Sequence, residues 1–195
     1  IKPDINISAN EENAFSLACE FGHLEIAKWL LLVKPDIDIS IEEDNAFAIA
    51  CGNGHLQIVK WLLSIKPDIN ISTKYEYAFE FACTHNHLEM AKWLLKIKPD
   101  INISANEENA FIEACKNGHL EVVQWLLSVK PDIDISEDNN KNENVFELTC
   151  GNGHLEVAQL LLSVKPDMDI SADNENAFVW ACENGYLKVA QWLLS

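Results

Sequence analysis

The pair Ala14-Phe15 returns as Ala46-Phe47, Ala78-Phe79, Ala110-Phe111 and Ala177-Phe178, with Val145-Phe146 in the fifth place. The spacings are 32, 32, 32, 35 and 32 residues; the longer one reflects three extra residues in the stretch Glu137 to Asn144. Six copies at this period do not describe one globular core. Each copy must be a small unit of supersecondary structure that packs on its neighbours. A hydrophobic content of 48% is ample for such packing.

Within a unit the pattern reads as two short helices and an arm. Asn13 predicts an N-cap, and Ala14, Phe15, Ala18 and Cys19 form one apolar face at helical spacing. A break follows at Phe21-Gly22, Asn53-Gly54 and Asn117-Gly118, suited to a left-handed turn. A second helix carries Leu24, Ile26, Ala27, Leu30 and Leu31. It must stop near Val33, because Pro35 pushes Lys34 out of the helical region, and Lys34 suits the negative helix end. Asp36 to Ser40 reads as extended and Ile41 to Asp44 as a polar turn. Helix pairs this short cannot bury their own apolar faces; stacked pairs can. The expected fold is all-α, a helix-turn-helix solenoid with extended hairpin-like arms and six stacked repeats. The repeats fall at about 5–36, 37–68, 69–100, 101–132, 133–167 and 168–195, forming a single array over 1–195. With no initiator Met and no polar capping repeat at either end, the chain is expected to be a fragment of a longer array.

The segment from Asn45 to Leu63, N-A-F-A-I-A-C-G-N-G-H-L-Q-I-V-K-W-L-L, resembles the ankyrin repeat, whose core runs T-P-L-H-x-A-A-x-x-G-H-L-x-I-V-x-x-L-L. Lys66-Pro67-Asp68-Ile69-Asn70 is similar to that family's G-A-D-V-N segment, and the likeness covers all 195 residues. There are departures. Asn or Tyr replaces the family's Thr, and Ala or Val its Pro. The position of the His that bonds between repeats holds Ser16, Ala48, Glu80, Ile112, Glu147 and Val179. The absence of Arg, with abundant Ile, Asn and Lys, is similar to the divergent ankyrin arrays of large DNA viruses and protists. The resemblance implies a protein–protein interaction module without intrinsic catalysis or cofactor, which binds a protein partner through hairpin tips and the concave first-helix face.

Candidate chemistry is sparse. Cys19, Cys51, Cys83, Cys115, Cys150 and Cys182 recur once per repeat. Stacked helices sit roughly 8–10 Å apart, too far for a disulfide ladder, so the thiols read as small core residues, and reduced cysteines fit a cytoplasmic (intracellular) setting. His23, His55, His87, His119 and His154 follow their Cys by four residues, but two ligands per repeat do not close a tetrahedral metal site. Cys83-Thr84-His85-Asn86-His87 is the one local cluster. Trp29, Trp61, Trp93, Trp125 and Trp192 read as packing between stacked helices. Asn6, Asn70 and Asn102 match glycosylation acceptors, yet Asp occupies the same place at Asp38, Asp134 and Asp169. The site therefore needs a short polar side chain that bonds the backbone. No signal peptide is expected from Ile1 to Ser8. No nucleophile–base–acid set, phosphate loop or paired carboxylates on a pocket are present.

Charge narrows the partner. All 14 basic residues are Lys, set against 31 acids, for a net charge of −17. That balance argues against nucleic acid and an anionic membrane, and no apolar run approaches the roughly 20 residues of a membrane span. The tips Ser8–Asn13, Ser40–Asn45, Ser72–Tyr77, Ser104–Asn109, Ser136–Asn144 and Ser171–Asn176 hold 13 acids and 2 Lys. Such a comb either keeps the chain soluble or steers a basic partner. The repeats also serve as their own alignment. The positions that vary are the tips and, on the first helix, Leu17, Ile49, Phe81, Glu113, Leu148 and Trp180, with Phe21, Asn53, His85, Asn117, Asn152 and Asn184 four residues on. Large residues there are either half-buried between helices or exposed as anchors. The third repeat departs most, with Lys74, Tyr75 and Tyr77 in its tip. A binding site centred on it would use Lys74, Tyr75, Tyr77, Glu80, Phe81, His85, Ile49, Asn53, Glu113 and Asn117; drift at a permissive loop is the rival explanation. The expected state is a monomer. The alternative function is a structural or elastic spacer within a larger protein.

Overall fold

A computed structural model describes residues 11–37, 39, 46–67, 72–133, 135, 144–168 and 172–195, apart from the side chains of 11–13, 72–75, 105–108 and 172–175. Its helices fall into two compact units, Ile1–Ile101 and Asn102–Ser195. The first unit contains α1 (Glu11–Glu20), α2 (Leu24–Val33), α3 (Ala46–Gly52), α4 (Leu56–Ile65), α5 (Ser72–Thr84) and α6 (Leu88–Ile97). The second contains α7 (Ala105–Lys116), α8 (Leu120–Val129), α9 (Val145–Gly151), α10 (Leu155–Val164), α11 (Ala172–Glu183) and α12 (Leu187–Leu193). The described residues form no strand, and the fold is the all-α helix-turn-helix solenoid type expected from the repeat.

In each unit the odd-numbered helix packs on its even-numbered partner and on the first helix of the next repeat: α1 on α3, α3 on α5, α7 on α9, α9 on α11. Phe15, Phe47 and Phe79 fill the core of the first unit, and Phe111 and Phe146 that of the second. Each is worth about 1.5–3 kcal/mol of burial. Leu62 and Leu94, or Leu126 and Leu161, close each core from the second helices. Trp61 and Trp192 pack between repeats as the sequence suggests, whereas Trp29 is 54% exposed, a correction to the reading of the whole ladder as packing. Phe15 meets Trp61 at 6.3 Å and Phe146 meets Trp192 at 6.1 Å between ring centroids, while Lys60 Nζ lies 5.9 Å from the Trp93 ring.

Chain reversal between paired helices uses the left-handed region. Gly118 has φ 72° and, in the third repeat, Asn86 takes the same turn at φ 63°, as the residue type after Gly that tolerates it best. The second helices stop where proline dictates. Lys34, Lys66, Lys98, Lys130 and Lys165 leave the helical region with φ between −139° and −126°. The chain then turns tightly, Ile37 N–H donating to Lys34 C=O at 3.4 Å and Met168 N–H to Lys165 C=O at 3.1 Å.

Four of the first helices, α1, α5, α7 and α11, begin earlier than Asn13 and its equivalents suggest. Asn13, Asn109, Tyr77 and Asn176 lie inside α1, α7, α5 and α11. So the stretches 11–13, 72–77, 105–109 and 172–176, read as hairpin tips, are opening turns of helices. In α1, α7 and α11 the acids Glu11, Glu12, Glu107, Glu108, Asp173 and Glu175 favour the earlier start, because acids suit the positive helix end; α5 opens with no acid in its first turn. Only at α9 is the cap reading correct among the described residues: Asn144 Oδ1 accepts from Phe146 N–H at 2.8 Å. The tips at 40–45 and 136–143 lie outside the described residues.

Candidate partner-binding surface

Helix α5 carries the third repeat's distinguishing residues. Spacing of four puts Tyr77, Phe81 and His85 on one face. The Tyr77 and Phe81 rings are 4.5 Å apart, and Phe81 and His85 stack at 5.5 Å with 27° between planes. His85 Nδ1 lies 2.9 Å from Phe81 C=O, which fixes its ring. Tyr77 is 50% exposed and His85 is exposed, while Phe81 is half-buried. Glu80 is half-buried on the adjacent face, and its charge adds to burial in raising the Cys83 thiol. Lys74 and Tyr75 belong to the opening of α5, but their side chains lie outside the described residues.

Phe81 is both packed and presented, for a reason found one repeat earlier. Gly52 ends α3, and a Cβ there would lie 2.9 Å from Phe81 Cδ1 and 3.2 Å from its Cβ. The second unit repeats the device: a Cβ on Gly151 would lie 3.1 Å from Trp180 Cβ. The equivalent position elsewhere holds Glu20, Thr84, Lys116 and Glu183. Glycine thus appears in the two repeats that precede Phe81 and Trp180. Among the sequence expectations these seats were missed, although the coincidence of Gly with an aromatic 29 residues later is visible in the sequence.

The remaining candidates differ in availability. Ile49 is half-buried, and Asn53 is exposed with its Nδ2 donating to Ile49 C=O at 3.0 Å. In the second unit Asn117 Nδ2 donates to Glu113 C=O at 2.8 Å, and the Glu113 carboxylate holds Lys116 Nζ at 2.5 Å. Glu113 therefore offers a neutralised pair, not a bare charge. The first repeat exposes more apolar surface than the sequence suggests, with Phe21 62% and Leu17 40% accessible.

The Cys-His series is structural. Cys19, Cys51, Cys83, Cys115 and Cys150 are buried, whereas Cys182 is exposed, a correction to the reading of all six as core. Burial pushes the Cys19 and Cys150 thiols up to about 12, Glu147 adding to the effect at Cys150. His55 and His154 supply an inter-repeat bond that the sequence lacks at its usual position. His55 Nε2 lies 2.7 Å from Glu20 C=O, and its ring covers Gly22. His154 is bonded to the Lys116 backbone and lies over Gly118; burial holds its imidazole below the usual range. Asn152 and Asn184 donate to Lys116 C=O at 3.0 Å and Gly151 C=O at 2.9 Å, adding further rungs. His85 and His87 do not converge: one stacks on Phe81, the other covers Gly54. Among the described residues no group of three His, Cys, Asp or Glu could hold a metal ion, and no helix is long and apolar enough to cross a membrane. Asn102 Oδ1 accepts from Ser104 N–H at 3.1 Å, the backbone role inferred for that position.

Comparison with known proteins agrees with this architecture. Family models described as "Ankyrin repeats (3 copies)" match residues 1–74 and 111–195, and one described as "Ankyrin repeats (many copies)" matches 79–127. No curated protein matches the sequence. The crystal structure of the human ASB11 ankyrin repeat domain superposes with a TM-score of 0.65 at 16% identity, over 92% of this chain and 81% of that one, a likeness of fold. Repeat period, paired helices, left-handed turns and family match agree: the chain belongs to the ankyrin-repeat family.

Proposed function

We propose that the chain is a protein-interaction module that binds a basic protein partner through the open face of its first helices. The aromatic row Tyr77, Phe81 and His85 serves as anchor, and Lys74, Tyr75, Glu80, Ile49 and Asn53 surround it. On the second unit Glu113 and Asn117 supply the same helix positions. One chain is the binding unit, it catalyses nothing itself, and it works in the cytoplasm. Ankyrin repeats are generally protein-interaction modules and their fold is typically non-catalytic, which supports the class. The observation that carries the site is the row itself. Tyr77, half exposed, rests at 4.5 Å on Phe81, and Gly52 seats Phe81 from behind. An anchored aromatic surface binds at low entropic cost. The net charge of −17 supplies the preference for a basic partner.

The test is capture of binding proteins from cell extract, followed by calorimetry with the purified partner. A Tyr77→Ala, His85→Ala variant spares the packed Phe81. Loss of binding of about tenfold or more per anchor removed is expected, with unchanged melting and a steep loss of affinity in added salt. Equal binding by parent and variant would remove the site from α5, and absence of any saturable partner would favour a spacer.

A further inference from the structure

We infer that the aromatic row of α5 selects arginine, so that a basic partner is recognised through a guanidinium group and not through an ammonium. The inference rests on the reading of α5 as the binding face and adds the chemistry that this face takes. It starts from what the third repeat has exchanged. The places of Tyr77 and His85 hold Asn45 and Asn53 in the second repeat, Asn109 and Asn117 in the fourth, Asn144 and Asn152 in the fifth, and Asn176 and Asn184 in the sixth. Asparagine serves the backbone there. Asn53 and Asn117 donate to the C=O four residues back, and Asn144 caps α9. His85 keeps that duty, its Nδ1 lying 2.9 Å from Phe81 C=O. Asparagine would satisfy the helix equally well, so the rings of Tyr77 and His85 are surplus to the fold, and both residues are exposed.

The same bond sets what the row offers. A carbonyl oxygen only accepts, so Nδ1 carries the hydrogen and the neutral imidazole keeps Nε2 as an acceptor. Phe81 stacks on His85 at 5.5 Å, and Tyr77 continues the row at 4.5 Å from Phe81. Aromatic faces thus run along α5 to an acceptor at one end, on the helix that also carries the half-buried acids Glu76 and Glu80. A guanidinium is planar, weakly hydrated and stacks on aromatic faces, and its fork of N–H groups can donate to Nε2 while it lies on the rings. An ammonium is a compact, strongly hydrated point charge that gains less from a flat face. The net charge of −17 favours a cationic occupant. All 14 basic residues of the chain are Lys, so neither this chain nor a second copy can supply the guanidinium. The occupant is an arginine side chain of a different protein.

Nuclear magnetic resonance of the ring protons tests this. The full chain is titrated with acetyl-Gly-Arg-Gly-Arg-Gly-amide and with its lysine counterpart, at equal ionic strength and in mildly alkaline buffer, which keeps imidazole neutral. Tyr77→Asn, His85→Asn and the double variant run beside it. Each substitution restores the residue that other repeats carry, and helical circular dichroism checks that the fold is kept. The arginine peptide is expected to bind about two- to fivefold tighter than the lysine peptide, the worth of a cation on an exposed ring, and to shift the Tyr77, Phe81 and His85 signals. In the double variant the two peptides should bind alike. Equal binding of both peptides by the parent would overturn the proposal and leave α5 as a surface that reads charge alone. An arginine preference that persists in the double variant would also overturn it, by placing the selection elsewhere. So would ring signals that move with neither peptide; capture of partners with the Tyr77→Ala, His85→Ala variant then decides separately whether α5 binds a protein at all.

Discussion

Replacing Gly52 with alanine tests whether the α3 seat for Phe81 is an energetic device. Gly52 is the last residue of α3 and its φ is not positive. Alanine at a helical glycine ordinarily stabilises by about 0.5–1 kcal/mol, because the unfolded chain loses freedom. Here the new Cβ would fall 2.9 Å from Phe81 Cδ1 and 3.2 Å from Phe81 Cβ. The second distance decides the sign. A ring edge can swing away, but Phe81 Cβ is fixed to the α5 backbone, so the two helices must separate by a few tenths of an ångström. Overpacking of that kind costs about 1–3 kcal/mol. Gly52→Ala should therefore be neutral to destabilising by about 2 kcal/mol.

The same substitution in a Phe81→Ala background meets no ring but still meets the Cβ of residue 81, so only the ring's share of the cost is relieved and part of the ordinary helix gain should return. The cycle should give a coupling of about 0.5–2 kcal/mol, the ring's share of the overpacking cost, between positions 29 residues apart. Urea unfolding followed by far-ultraviolet circular dichroism measures all four proteins, with equal denaturant slopes as the condition for comparison. If Gly52→Ala stabilised both backgrounds equally, the helices would have room to spare and Phe81 would not be seated. α5 would then not present an anchored surface.

Two further outcomes follow from buried groups. With excess thiol reagent the native chain should release one equivalent from Cys182 at once and five only on unfolding. Cys19 has its pKa raised by burial from 9.0 to about 12, so its contribution to stability is complete below pH 9 and declines as pH rises from there towards 12; the urea midpoint should fall over that window. His55→Ala removes the ring that covers Gly22 and the bond to Glu20 C=O. It should cost about 0.5–1.5 kcal/mol in a melting comparison, and no loss would show that the bond contributes nothing to stacking.

The fold was legible because its signals are local and repeated six times. Pro35 and its equivalents stop the second helices, Gly22 and its equivalents reverse the chain, and Phe15 and its equivalents mark the core, each by a mechanism that does not depend on distant residues. Helix starts were less legible. Asn13 and Glu11 both suit a helix N-terminus, and neither the cap preference nor the charge preference alone ranks one above the other. The candidate surface was legible as a list of varying positions. Whether Phe81 stands out or tucks in depends on a side chain that is absent at Gly52, and reading for residues does not register what a glycine leaves open. Likewise Cys182 matches its five relatives in sequence, and it differs because its environment is made by a neighbour and not by its own repeat.

That last difference states how stability is distributed in this chain. Side chains that occupy the same place in a repeat have the same intrinsic preferences, so a change in their burial measures the neighbour alone. Phe15, Phe47, Phe111 and Phe146 are closed over and Phe178 is not; four turn glycines are covered by a ring and Gly185 is open. An inter-repeat contact therefore adds a ring over a glycine, a phenylalanine–tryptophan pair and a carbonyl bond, none of which a helix pair obtains by itself. The residues that make this contact stay nearly constant from copy to copy. Within the helices variation concentrates on the open first-helix face, where it does not disturb stacking unless it is bulky, and at the two bulkiest sites, Phe81 and Trp180, the preceding repeat has given up a side chain to accept it. The array can thus diversify one surface while retaining a single stacking geometry, and the cost of a large residue on that surface falls on its neighbour.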